Sequence, residues 1–394
     1  MTIARAGYAA EIRRIEEAVA GAGGPSALDP PTDTERVTRY IYGLYQRASI
    51  SGDPAALGEV EHALAQAVPL VTHPGDLYFL KANLAFKLHR LDDVEAALVA
   101  LPSAAQNAEA RLIRADLDFQ RGRYREAEAG YRDVLHAEKS WGALARLAHF
   151  TGKMGDTAAA DDLYEEAQDE LTAKELRSFA WLEVQRGFLD FCRGRLDEAR
   201  AHYRRADAAY PGYWLVEEHI AELLGAEGRY GEAIAILKKW AAAGNRPDLA
   251  QAIAELHRLA GETDPALQWA QQALAGYLRS AEQGAVHYYH HLVDYYAEVE
   301  EDGAVAVAWA QKDLQLRQNF STQAALAWAF FRARRFDEAR PWIDRALGSG
   351  VVDPRIFLQA GAIYTAIGEK REAKSFEERA RRLNPMVDRC HLHH

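Results

Sequence analysis

Gly122-Arg-Tyr-Arg-Glu-Ala127 is a short phrase that this chain repeats, as Gly194-Arg-Leu-Asp-Glu-Ala199 and as Gly228-Arg-Tyr-Gly-Glu-Ala233. It returns as Arg334-Arg-Phe-Asp-Glu-Ala339 and Gly368-Glu-Lys-Arg-Glu-Ala373, with weaker copies beginning at Gly52, His89, Gly152 and Gly261 and near Glu300. Neighbouring copies at 89 and 122, at 194, 228 and 261, and at 334 and 368 stand 33 or 34 residues apart. A step of that size, sustained along the chain, marks stacked supersecondary units rather than separate domains. Each phrase reads as a helix–turn–helix. The small first residue tolerates the left-handed backbone that ends a helix, the aromatic or Leu two places on fills the angle between helices, and the Ala lies where they cross. Apolar residues then follow at helical spacing, as in Tyr131 and Val134. One such hairpin cannot bury its apolar face alone, so the units must stack into an all-α solenoid.

On these phrases, together with the late prolines of Tyr210-Pro211 and Asn384-Pro385, the chain resembles the tetratricopeptide repeat family over about residues 33–384, in roughly ten units. The resemblance implies a right-handed superhelix of antiparallel helix pairs, with first helices lining a concave groove and second helices forming the convex back. It also implies an interaction scaffold that holds a peptide segment or protein partner. The family's chaperone-binding specialisation grips a carboxylate with groove lysines and asparagines; this groove shows Asn83 and few lysines, which argues against it.

Organisation follows from the departures. Residues 1–22 read as a capping helix, 23–32 as a Gly/Pro linker within GAGGPSALDPPTD, 33–385 as the solenoid, and 386–394 as a flexible tail. The step from Gly152 to Gly194 is about eight residues too long, which predicts a longer helix near Thr172–Arg193. The two units from Gly261 to Arg334 are also too long, with the excess near Leu278–Val286.

Composition narrows the function classes. The 394 residues carry 47 Lys+Arg against 58 Asp+Glu, a net charge of -11, with 49% hydrophobic residues. No basic cluster dominates, so direct nucleic-acid or anionic-membrane binding is not expected. Cys192 and Cys390 are the only cysteines, too few for a disulfide framework or a Cys-based zinc module. The charged start lacks a leader's apolar core, and no stretch approaches a membrane span; the expected location is cytoplasmic. Nucleophile-elbow, phosphate-loop and dinucleotide motifs are absent from the sequence, and no catalytic residue is assigned.

Candidate site residues cluster on first helices. In HYYHHLVDYYAEV the expected core stripe is Tyr289, Leu292, Val293, Tyr296 and Val299, leaving His287, His290, His291 and Asp294 on one face. Imidazoles and a carboxylate at i, i+3, i+4, i+7 are a candidate set for a divalent transition metal or small ligand; the bland alternative is a solvated polar face. Preceding units add Glu218, His219 and Glu222, then Gln251 and Glu255, flanked by Trp181, Phe188 and Trp328. An acidic and aromatic groove of this kind suits a basic partner or one with an apolar anchor. The second reading keeps a metal- or ligand-binding protein, even a metal-dependent enzyme, centred on the histidine face.

Overall fold

The computed structural model describes residues 7–28, 34–71, 75–102, 107–242 and 246–387. Among them there is no strand: the chain is a run of α-helices with two short 3-10 turns. After α1 (Tyr8–Gly21) come ten antiparallel pairs. The first five are α2 (Thr34–Ser51) with α3 (Pro54–Ala67), α4 (Gly75–Lys87) with α5 (Leu91–Ala100), α6 (Ala108–Gln120) with α7 (Tyr124–Ala137), α8 (Trp141–Lys153) with α9 (Thr157–Asp169), and α10 (Leu176–Phe191) with α11 (Leu196–Ala209). The other five are α12 (Trp214–Ala226) with α13 (Tyr230–Ala241), α14 (Pro247–Leu259) with α15 (Thr263–Glu282), α16 (Tyr289–Glu298) with α17 (Gly303–Leu316), α18 (Phe320–Arg332) with α19 (Phe336–Gly348), and α20 (Pro354–Ala366) with α21 (Lys370–Leu383).

The phrase that opened the reading does what its chemistry requires. Gly122 takes φ +74°, which lets the N–H of Arg123 donate to Asp118 O at 2.8 Å and that of Gly122 to Phe119 O at 3.0 Å. These bonds satisfy the carbonyls left at the end of α6. Tyr124 then opens α7, and Ala127, fully buried, sits at the crossing above Tyr131 and Val134. Side-chain caps start several first helices: Asn107 accepts from Ala110 N, Ser140 from Ala143 N and Asn319 from Thr322 N.

Both long steps are where they were expected, with adjustments. The turn glycine of the fourth unit is Gly155, at φ +102°, not Gly152, so the excess in the next step is smaller than the sequence suggested; α10 has 16 residues. The second excess is α15 itself, 20 residues long. Two boundary expectations need correction. Part of the presumed linker folds as a 3-10 turn, Gly24–Leu28, with Ala27 buried, and the presumed tail begins inside the fold: Val387 is fully buried against Phe357 and Ala380. Residues 388–394, Cys390 among them, lie outside the described residues. In α16, Val299 is exposed rather than core, whereas Tyr288 and Tyr295 are buried.

The pairs wind round until the chain meets itself. The turn after α2 meets the start of α12, where the Trp214 indole N–H donates to Ile50 O at 2.8 Å. The turn after α4 meets the loop before α16, and there His89 stacks on His287. The turn after α6 meets the start of α18: Gln318 N donates to Gln120 O at 2.9 Å and Phe320 N to the Tyr124 hydroxyl at 2.7 Å. The turn after α8 meets the start of α20, Val352 N donating to Lys153 O at 2.9 Å. Finally Gly194, after α10, lies against Asn384 beyond α21. These contacts join residues 160 to 200 positions apart and form a continuous seam between the first and second superhelical turns. Helix α1 closes its near end: Tyr8 stacks on Tyr213 and meets the edge of Trp240, while the Tyr210 hydroxyl donates to Glu11.

Candidate functional site

Close approach along the seam leaves no room for a side chain at three glycine turns of the first superhelical turn. A Cβ on Gly122 would lie 2.8 Å from the Gln318 carbonyl oxygen, one on Gly155 2.7 Å from Val352 and one on Gly194 2.7 Å from Asn384. At the corresponding turn in the second superhelical turn, Gly228 (φ +78°), such an atom meets nothing within 4 Å.

His89 occupies the equivalent turn of the second unit, at φ +58°, a conformation that costs a non-glycine residue roughly 1–2 kcal/mol. Its ring stacks on His287 with centroids 5.3 Å apart and meets the edge of His290 at 6.3 Å. His290 lies 4.1 Å from His291, whose ring stacks on Tyr277 at 5.3 Å. The Tyr277 hydroxyl donates to Gln251 at 2.7 Å. The candidate histidines are therefore packed into the seam with a fourth that sequence reasoning missed. The missed signal was His89 itself, an imidazole where the repeat calls for glycine.

Among the described residues no three His, Cys, Asp or Glu side chains are arranged to hold a metal ion. Asp294 lies instead near Tyr277 and Asp313. Burial lowers the affinity of His89, His287 and His290 for protons, and Arg317 and neighbouring imidazoles add to this. Asp248 opposes the shift at His287 without reversing it.

The acidic residues expected to face a basic ligand are largely paired within the chain. Glu218 takes the Arg246 guanidinium at 3.1 Å, and Arg246 also binds Asp248 and lies over the Trp214 ring. Glu255 binds Arg258 on its own helix. Glu222, 3% exposed, lies 3.4 Å from His219, and His219 packs between Phe188 and Tyr203. Trp181 meets the edge of Trp141. Trp328 stacks on Phe331 at 4.7 Å and donates its indole N–H to Glu298. The second-helix tryptophans Trp240, Trp269, Trp309 and Trp342 are half-buried and each carries a Lys or Arg over its ring.

Phe188 leads to a cleft. It lies between α8, α10 and the start of α20, across the seam, holds about 50 Å³ of cavity space behind an open mouth, and is walled by Ala148, Tyr164, Phe188, Leu189 and Pro354. Lys153 reaches over the Phe188 ring, and Gly152, Gln185, Val352 and Asp353 complete the wall with His149, Cys192 and Arg193. The Arg193 guanidinium donates to Val352 O at 3.2 Å. His149 is exposed at the mouth of the cleft, yet desolvation by the surrounding walls, and then Lys153, push it down to about 3. Burial pushes the Cys192 thiol up to about 12, which disfavours the thiolate form at neutral pH.

No helix among the described residues is long and apolar enough to cross a membrane. No protein-family model matches the chain, and no curated protein matches it. Among solved structures it is similar to the APC/C hetero-tetramer Cut9-Hcn1, with 16% identity over 90% of this chain and 74% of that one and a TM-score of 0.43. It is also similar to MamA, with 18% identity over 43% of this chain and 96% of that one and a TM-score of 0.34. On the evidence of its own recurring turns and ten stacked helix pairs, the chain is an all-α solenoid of tetratricopeptide-like hairpins.

Proposed function

We propose that this protein is an interaction scaffold whose cleft between α8, α10 and α20 receives a segment of a partner protein carrying a small apolar anchor. The observation that carries the reading is the cleft itself, a concave, mostly apolar space with a few polar groups at its edge, the usual form of a binding site. Two features refine the partner. The carboxylates Glu218 and Glu255 already hold arginines, which removes the attraction for a basic segment there. Lys153, Arg193 and Asp353 border the cleft; Asp353 caps α20 through Arg355 N and Ile356 N, which leaves Lys153 as the accessible charge and favours a neutral or acidic segment around the anchor. Stacked hairpins present such a surface without reordering, which keeps the entropic cost of binding low.

A photo-crosslinking residue in place of Phe188 and, separately, of Trp342 on a second helix tests the proposal in native extract. The expected result is a discrete crosslinked partner from position 188 that is lost when Gln185→Trp, at a half-buried position lining the cleft, fills it with helicity unchanged. Equal capture from both positions, or capture indifferent to Gln185→Trp, would overturn it.

A further inference from the structure

The seam carries one feature that neither stacking of hairpins nor partner binding requires. Three imidazoles from two superhelical turns, His89 on one side and His287 and His290 on the other, meet ring against ring. The Nδ1 atoms of His287 and His290 are buried without a hydrogen-bond partner, and the other side of the His287 ring donates to the Lys87 carbonyl. His89 adopts the left-handed backbone that the other strong copies mostly give to glycine.

We propose that His89, His287 and His290 form an acid-opened latch, which holds the second superhelical turn against the first while the rings are neutral and releases it when they take up protons. The three residues are half-buried, but the Nδ1 atoms that would take the protons on His287 and His290 are shut off from water and have no acceptor beside them, so a charged ring there, stacked on another imidazole, is strongly disfavoured.

The charges around the latch do not offset this. From α14 and the residue before it come Asp248 and Arg246, bound to each other at 2.8 Å, with Glu218 of α12 on the same guanidinium. From α17 come Arg317 and Asp313, bound at 2.7 Å. From α16 and its approach come Tyr288, His291 and Asp294, and from α15 comes Tyr277. From α4 comes Lys87, itself held below its usual range by burial and by Arg177. Asp53, in the turn after α2, reaches the group only through Tyr288. Asp248, the carboxylate that acts on His287, is thus held by Arg246, and Arg317 works against protonation of all three rings.

The sign follows from linkage. The closed seam binds these protons less tightly than an open one, in which imidazoles return to about 6.5. Stability of the contact is therefore present above that pH and declines as the pH falls through it. Between about pH 7.5 and about pH 5.5 the opening constant rises up to about 10-fold for each ring, or about 1000-fold for the three together. The latch does not rest on any occupant of the cleft, although a segment bridging α8, α10 and α20 would by linkage favour the closed seam.

Native-state hydrogen exchange of the full chain reads the opening directly at the Gln318 and Val352 amides, which bond across the seam, against Ala233, which bonds within its own hairpin. After correction for intrinsic exchange, lowering the pH should raise opening at the two seam amides far more than at Ala233. The rise should disappear in the triple variant His89→Asn, His287→Phe, His290→Phe. Unchanged seam protection in the parent protein, or an equal rise in the triple variant, overturns the latch. Should the triple variant not fold, His89→Asn alone, which suits a left-handed turn, should cut the rise about 10-fold. Histidine NMR titrations near pH 6.5 with the seam still protected would also overturn it.

Discussion

Replacing Gly122 and Gly228 in turn with Ala separates the two duties of a turn glycine. Both residues have positive φ, +74° and +78°, so each alanine pays the left-handed penalty of roughly 1–2 kcal/mol. At Gly228 nothing else changes, since a Cβ there meets no atom within 4 Å. At Gly122 the new methyl would stand 2.8 Å from the Gln318 carbonyl oxygen. That backbone cannot swing away without loosening Gln318 N from Gln120 O, the Asn319 amide from Gln120 and Phe320 N from Tyr124, bonds of 2.9, 2.6 and 2.7 Å. Overpacking of this kind adds about 1–3 kcal/mol. Urea unfolding followed by far-ultraviolet circular dichroism should place Gly122→Ala below Gly228→Ala by that margin. Small-angle scattering should show a more extended particle only for the former. Equal midpoints and superimposable scattering curves would mean that the two superhelical turns do not touch in solution, and the reasoning would fail.

Other substitutions probe the remaining contacts. Trp214→Phe keeps the ring packed and deletes the bond to Ile50 O, so a loss of about 1 kcal/mol in thermal or urea stability is expected; no loss would remove this end of the seam. Glu183, 2% exposed, is raised by burial but lowered further by hydrogen bonds from His202 and Gln168 and by Arg205. Its net direction is downward, so its contribution is present above about pH 4.5 and fades as the pH falls through and below that value. Glu183→Gln should cost about 1–3 kcal/mol at neutral pH, discounted because Arg205 is partly exposed, and should flatten the acid limb of stability against pH; an unchanged limb would contradict the network. His149 should stay neutral in NMR titration to about pH 4, a result refuted by a midpoint near 6.5. Val387→Ala should weaken the last hairpin by roughly 1–2 kcal/mol, read as faster exchange of α21 amides; exchange rates equal to those of the parent would mean that Val387 is not part of the core.

The hairpins were legible because each turn is a local event. A left-handed residue, an aromatic wedge and an alanine at the crossing are all written within six positions, as at Gly122–Ala127. The seam was not legible, because Gly122 and Gly228 look alike in sequence although only one has a neighbour where its side chain would be. Periodicity likewise divided α16 into a core stripe and a polar face. A helix held between two superhelical turns has no free face: His291 and Tyr295 are both buried, and Val299, one position past its last turn, is exposed. The pairing of the acidic residues was hidden for a related reason, since spacing shows where Glu218 and Glu255 stand but not that Arg246 and Arg258 reach them. The cleft beside Phe188 draws on α8, α10 and α20, residues far apart in the chain, and no local pattern announces it.

An open array of repeats can gain or lose a module with little harm, because each module knows only its neighbours. Here the bond between Gln120 and Gln318 makes the tally of modules itself a structural quantity. Deleting one hairpin between those residues would shift every later element by one place, bringing the Gln120 corner opposite the wrong loop. Such a lineage could change length at its ends, but its interior would have to keep count.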